Sequence, residues 1–197
     1  MKIVFATGNR GKLREAGEIF KGFEIVPIKN FPKWTAPEET GTTFLENAVI
    51  KAEAAAAAAE GRIVLADDSG LVVPALDGAP GIFSARFSAE GTDAANRKKL
   101  LGELSGVADR SAWFTCSAVM IFPNGRVIAA EGRCEGKIIE TERGENGFGY
   151  DPIFVPDSFD RTLAELSEEE KNAISHRGKA FRKLMQMIAD VFPNSVR

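Results

Sequence analysis

The run Ile63-Val64-Leu65-Ala66 leads without a polar interruption into two adjacent carboxylates, Asp67 and Asp68, and then into Ser69-Gly70. A short apolar run of this kind reads as a buried strand, with a further strand over residues 71–73 beyond the acidic turn. Two charges at the carboxyl end of an interior strand are costly unless they are paired or bind a metal, and strand ends are where open sheets place ligands. Successive strand residues point to opposite faces, so both carboxylates address one cleft only if the chain turns there. One is then catalytic and the other supporting. The competing reading is an Asx-type turn cap ahead of Ser69-Gly70.

The rest of the chain supplies a sheet and helices around that strand. Residues 3–6 read as a short buried strand, Thr7 to Gly11 as a turn, and Leu13, Ala16, Gly17 and Phe20 as one face of a helix. A second helix opens on the capping-box pattern Thr43-Phe44-Leu45-Glu46, turns Ala48, Ala52, Ala55 and Ala59 inward, and stops at Gly61. Asp77-Gly78-Ala79-Pro80-Gly81 reads as a turn-rich loop, and Thr92 caps a helix ending near Leu104. Residues 112–122 alternate as a strand does, Pro123-Asn124-Gly125-Arg126 puts Asn-Gly where a two-residue hairpin turn wants it, and strand returns to about Ile139. A glycine-containing loop over 144–150, a strand over 153–155 and an acidic helix from Ser167 follow. The last helix carries the stripe Phe181, Leu184, Ile188 and Val191, which reads as core. No linker or repeat divides the chain, so residues 1–197 are expected to form one domain. The order of elements predicts an α/β fold with a mixed sheet rather than a regular doubly wound one.

Composition removes several functional classes. Against 28 acidic side chains stand 25 basic ones, a formal net charge of -3, so a nucleic-acid coat driven by counterion release is not expected. An anionic ligand must instead meet locally placed cations. Cys116, Cys134 and the single histidine, His176, cannot make a zinc cluster and lack CxxC spacing, which fits a reducing cytosol. Residues 3–6 are too short for a secretory apolar region and residues 111–125 alternate rather than span a bilayer. A soluble cytoplasmic protein is expected.

Thr7-Gly8-Asn9-Arg10-Gly11-Lys12 lies between a strand and a helix, where free N–H groups and the helix dipole can hold phosphate and Lys12 adds a full charge. It is not the Walker spacing, and an N-capping turn explains the same residues. Glu38 and Glu39 offer hard oxygen donors of the kind magnesium takes, or are simply solvated. Gly147-Phe148-Gly149-Tyr150-Asp151-Pro152 can present a ring to a flat ligand such as a base, or form a hydrophobic turn. Lys171 and His176-Arg177 make a basic cluster in an acidic stretch. Lys51, among alanines, reaches either an anion or solvent.

Thr7 to Lys12, Glu38-Glu39-Thr40-Gly41, Phe44-Leu45-Glu46-Asn47-Ala48, Ala66-Asp67-Asp68-Ser69-Gly70, Gly78-Ala79-Pro80-Gly81, Phe148-Gly149-Tyr150-Asp151-Pro152 and Ser175-His176-Arg177-Gly178 occur here in one order. With these motifs the chain closely resembles the inosine/xanthosine triphosphate pyrophosphatase family, from about Lys2 to the last helix. The resemblance implies an elongated mixed sheet with helices in two lobes flanking a central cleft, a homodimer, and magnesium-dependent hydrolysis of dITP, ITP and XTP to monophosphate and pyrophosphate. By position it implies that Thr7, Gly8, Asn9, Arg10, Gly11, Lys12, Lys51 and Ser69 hold the triphosphate. Glu39 and Asp68 would hold the metal, with Asp68 also the general base. Phe148, Gly149, Tyr150, Asp151, Lys171, His176 and Arg177 would form the nucleoside pocket, where a donor from His176 or Arg177 matches the O6 acceptor of hypoxanthine and meets the amino group of adenine badly.

Overall fold

The acidic pair does not end a strand. In the computed structural model, which describes residues 1–191 with side chains through residue 189, β3 runs unbroken from Ile63–Val72 and carries Asp67 and Asp68 in its middle. The two short strands expected from sequence are therefore one. The side chain of Val191, the last residue of the predicted stripe, lies outside the described side chains.

The remaining elements are β1 (Lys2–Phe5), α1 (Arg10–Ile19), β2 (Glu24–Pro27), α2 (Phe44–Ala58), α3 (Asp93–Glu103), β4 (Ser111–Ile121), β5 (Val127–Ile138), β6 (Phe154–Pro156), α4 (Glu168–Ile174) and α5 (His176–Val191). The strands form one mixed sheet in the order β2-β1-β3-β4-β5-β6, parallel where β1 meets β2 and β3 and antiparallel where β5 meets β6. Sequence reading missed β2, a four-residue strand whose apolar pair Ile25-Val26 is too short to show a period. The β4–β5 turn also differs from expectation. Gly125 N–H donates to Phe122 C=O and Phe122 N–H to Arg126 C=O, leaving a three-residue loop in which Gly125, at φ 80°, takes the left-handed position. Pro123 fits the first central position of a type I turn, and a two-residue primed turn would need positive φ at Asn124 as well.

The chain packs as two compact units. The first comprises Met1–Asp68, Cys116–Gly132 and the segment beginning at Arg177. The second comprises Ser69–Thr115 and Arg133–His176. Within the first, the period of two in the strands sorts residues between two cores. Ile3, Phe5, Ile63, Leu65, Cys116, Ala118 and Met120 pack with Ala16 of α1, with Phe20 just beyond it, and with Phe181, Leu184 and Ile188 of α5. Val4, Ala6, Val64, Ala66 and Val119 pack with Ala48, Ala52 and Ala55 of α2 and with Ala59 just beyond it. In the second unit Leu71, Val73, Leu100, Phe114, Ile153 and Phe154 share a core, with the Phe114 and Phe154 rings 4.8 Å apart in edge contact. Among the described residues no helix is long and apolar enough to cross a membrane.

Helix α2 starts where the sequence says it should. Thr43 Oγ1 accepts from Glu46 N–H at 3.2 Å and Glu46 Oε2 accepts from Thr43 N–H at 3.0 Å, a complete capping box. Replacing the cap leaves a helix N–H unsatisfied, so Thr43→Ala is expected to lower unfolding free energy by about 1 kcal/mol. Urea titration checks this; a midpoint equal to that of the unmodified chain would mean that packing of the alanine face alone sets the helix start.

Candidate active site

The pleat of β3 sends its two carboxylates to different partners. Asp68, in phase with Val64 and Ala66, faces α2, where Lys51 Nζ donates to its Oδ1 at 2.8 Å and Asn47 Nδ2 lies 3.5 Å from its Oδ2. Asn47 and Lys51 are four residues apart, hence on one helix face. The same ammonium also reaches Glu39 Oε1 at 3.0 Å, so one cation bridges two carboxylates. Burial disfavours the Lys51 charge, yet Asp68, Asp67 and Glu39 outweigh it and hold Lys51 above its usual range. Burial raises Asp68 above the ordinary aspartate range despite Lys51 and Lys12, and the Glu39 charge adds to that rise.

Asn47 is a residue that sequence reading quoted and did not place in the site. It is fully buried, and its Oδ1 accepts the Gly41 N–H at 2.9 Å, tying the Glu39 loop to the helix that carries Lys51. A Cβ at Gly41 would meet Asn47 Oδ1 at 2.6 Å, so only glycine fits there.

Asp67, in phase with Ile63 and Leu65, faces the other core. Lys12 Nζ donates to its Oδ1 at 3.0 Å, Arg177 Nε to its Oδ2 at 3.1 Å, and the Cys116 thiol lies 3.8 Å from Oδ2. Arg177 is 2% exposed, and its Nη1 donates to Glu15 Oε2 at 2.6 Å. Burial opposes the guanidinium charge, but Asp67 and Glu15 more than compensate and raise its pKa. Glu15 is a second residue missed from sequence: beside Ala16 it breaks no periodicity, while Gly17, expected inward, is exposed.

The loop before α1 is an N-cap. Asn9 Oδ1 accepts from Gly11 and Lys12 N–H at 2.8 and 3.1 Å, and Thr7 Oγ1 from Asn9 N–H at 3.1 Å. Gly8, Asn9 and Arg10 are exposed, and a Cβ at Gly8 would meet nothing within 4 Å. The structure thus brings Thr7 to Lys12, Glu39, Lys51, Asp68 and Arg177 into the first unit, whereas Ser69, the next residue in β3, begins the second.

The second unit holds the other predicted residues. Asp151 Oδ2 accepts from Phe148 N–H at 2.8 Å and from Lys171 Nζ at 2.7 Å, and that ammonium sits 4.7 Å from the centre of the Phe148 ring. Gly147, at φ 76°, lies so close to Asp151 that any Cβ there would strike its carboxylate. The buried His176 ring stacks on Phe114 at 4.8 Å and 11°. Sequence offers His176 or Arg177 as a donor to O6; the structure places His176 in the second unit and Arg177 in the first, as neighbouring helix residues point about 100° apart.

The model of the Ham1 family matches residues 3–187. A dITP/XTP pyrophosphatase of Desulforamulus reducens is 51% identical over 193 residues, covering 95% of this chain and 96% of its own. One from Bacillus anthracis is 49% identical over 198 residues, covering 97% and 98%. Among solved structures, the Staphylococcus aureus Ham1 protein superposes with a TM-score of 0.85 at 43% identity, over 96% of this chain and 99% of that one. A nucleoside-triphosphatase / dITP/XTP pyrophosphatase from Mycobacterium abscessus gives 0.74 at 44% identity, over 95% and 98%.

The buried Glu15–Arg177–Asp67 chain has a measurable signature. Arg177→Met leaves two buried carboxylates without their shared guanidinium and is expected to destabilise by about 3–5 kcal/mol, the usual cost of breaking a buried pair from one side. Chemical denaturation with an unchanged slope checks it, and a loss below about 1 kcal/mol would show that the chain does not depend on this contact.

Proposed function

The chain belongs to the Ham1 family, and from that premise we propose that it hydrolyses the deaminated purine nucleoside triphosphates dITP, ITP and XTP to the nucleoside monophosphate and pyrophosphate. The observation that carries this reading is the Glu39–Lys51–Asp68 cluster: two carboxylates already drawn together on one cation, the second of them buried at the middle of β3.

Cleaving the α–β anhydride needs a positioned water, a proton acceptor and compensation of the triphosphate charge. In this reading Asp68 takes the proton from the attacking water. Lys12 and Lys51 supply cationic hydrogen bonds to phosphate oxygens, with the exposed N-cap loop, Thr7, Gly8, Asn9, Arg10 and Gly11, and Ser69 completing the triphosphate contacts. Arg177 acts through Asp67, which aims Lys12. Phe148, Gly149, Tyr150, Asp151, Lys171 and His176 receive the nucleoside, with Lys171 and His176 offering donors for O6.

Glu39 and Asp68 suit magnesium, which takes one or two protein carboxylates and fills its other positions with phosphate oxygens and water. Among the described residues no group of three or more His, Cys, Asp or Glu side chains gathers as a metal cage. Bound there, the metal would neutralise phosphate charge and lower the pKa of its water. A homodimer in the cytosol is part of the same proposal.

Asp68→Asn should still fold cooperatively and lose at least about two orders of magnitude in turnover of ITP. Product analysis should find pyrophosphate and no orthophosphate, and chelation by EDTA should abolish activity until magnesium is restored. Turnover of Asp68→Asn near that of the unmodified enzyme would overturn the assignment. For selectivity, His176→Ala should narrow the preference for ITP over ATP by roughly 1–3 kcal/mol, whereas Arg177→Lys should leave that ratio alone, as measured by kcat/KM on both substrates.

A further inference from the structure

One helix grips Gly149 at both ends of its backbone. The Gly149 N–H donates to Asp93 Oδ2 at 2.8 Å, and its C=O accepts from Arg97 Nη1 at 2.8 Å. Asp93 and Arg97 stand four residues apart on α3, so both side chains leave one face. Asp93 lies in the first turn, where the helix dipole favours a carboxylate, and Arg97 is steadied by Glu142, whose Oε1 is 2.9 Å from its Nε. Between them Asn96, 2% exposed, donates to the carbonyls of Ser84 and Ala85 and accepts from Ser88 N–H. The Ser84 carbonyl also accepts the Tyr150 hydroxyl at 2.9 Å. Burial, reinforced by the Asp93 and Glu103 charges, raises Tyr150 far above its usual range and keeps the phenol a donor.

Such fastening answers a specific need. Gly144, Gly147 and Gly149 all have positive φ, at 84°, 76° and 61°, and a stretch with three such glycines is costly to order without outside contacts. The fastened peptide lies between Phe148, whose ring sits under Lys171, and Asp151, which binds that lysine.

We infer that Asp93 and Arg97 are positioning residues for the nucleoside: by fixing the Gly149 peptide they fix the Phe148 ring and the Asp151 carboxylate on either side of it. The inference rests on the reading of residues 148–151 as the base platform. When the grip is lost, the platform is formed only part of the time, and affinity falls by that fraction while the phosphate groups and Asp68 are untouched. The effect belongs in KM rather than kcat.

The test is steady-state kinetics with ITP on Asp93→Ala, Arg97→Ala and the double variant, with inorganic tripolyphosphate as a competing anion that has no base. Each single variant should raise KM for ITP about tenfold, the order of one hydrogen bond to a charged group, with kcat within about twofold. The double variant should cost less than the product of the two, since both hold one peptide. The inhibition constant of tripolyphosphate should not move. Asp93→Asn, which keeps an acceptor oxygen, should restore KM. An unchanged KM in folded variants, or a tripolyphosphate constant that rises in step with it, overturns the inference. Phe148→Ala separates the two levels: if it leaves KM for ITP unaltered, the platform reading itself falls; if it raises KM while the α3 variants do not, only the role of α3 falls. Should Asp93→Ala fail to fold, Arg97→Ala against Arg97→Lys makes the same comparison, the lysine keeping a single donor and an intermediate KM.

Discussion

Two adjacent buried carboxylates in the middle of a strand are the constraint on which the first unit depends. A pleated strand cannot direct both to one place, so Asp67 and Asp68 need separate sets of counter-charges, one on each face of the sheet. Helices α1 and α5 supply Lys12 and Arg177 to one, and α2 supplies Asn47 and Lys51 to the other. The alanines at 48, 52 and 55 follow from the same demand. A row of small side chains lets α2 lie close against β3, close enough for Lys51 to reach the strand with only 12% of its side chain exposed.

The burial of Arg177 extends that logic one step. Its guanidinium spans Asp67 and Glu15, joining the start of α5 to both β3 and α1. A planar fork can hold two carboxylates in fixed directions, as an ammonium cannot. Arg177 thereby holds Asp67 while itself buried. The buried pair also explains why β3 continues past the acidic residues: once each carboxylate has its cations, nothing forces the backbone to turn.

Much of this was legible in the sequence, and the part that was not has physical reasons. The capping boxes at Thr43 and Ser167, the inward alanines and the cap at Thr92 all depend on local rules and appear where those rules place them. The strand break at Asp67 was misplaced because its compensation comes from residues 55 and 110 positions away, and no local rule reports such partners. Glu15 stayed hidden because burial of an acid depends on a cation elsewhere in the chain. Asn47 could have been found: it precedes Lys51 by one helical turn, so a polar residue within an alanine-rich helix should have been read with that lysine. The grip of Asp93 and Arg97 on Gly149 had no such signal, since α3 reads as an ordinary solvated helix until a single residue, 56 positions from Asp93 and 52 from Arg97, is known to be its partner.

The two carboxylates also differ in what remains when a phosphate takes a lysine. The chain carries a net charge of -3, and Lys12, Lys51 and Lys171 are each already held by an acid. In the proposed reading, substrate charge enters by exchange of partners. If Lys12 turns to a phosphate oxygen, Asp67 keeps Arg177 at 3.1 Å as a cationic partner. If Lys51 does the same, the hydrogen bond left to Asp68 among the described residues is that of Asn47 at 3.5 Å, at the long limit for such a contact. A buried carboxylate left that way calls for another cation or for a proton. Of the adjacent pair, Asp68 is thus the one that the proposed reading makes metal ligand and proton acceptor, while Asp67 stays paired with the arginine beside it.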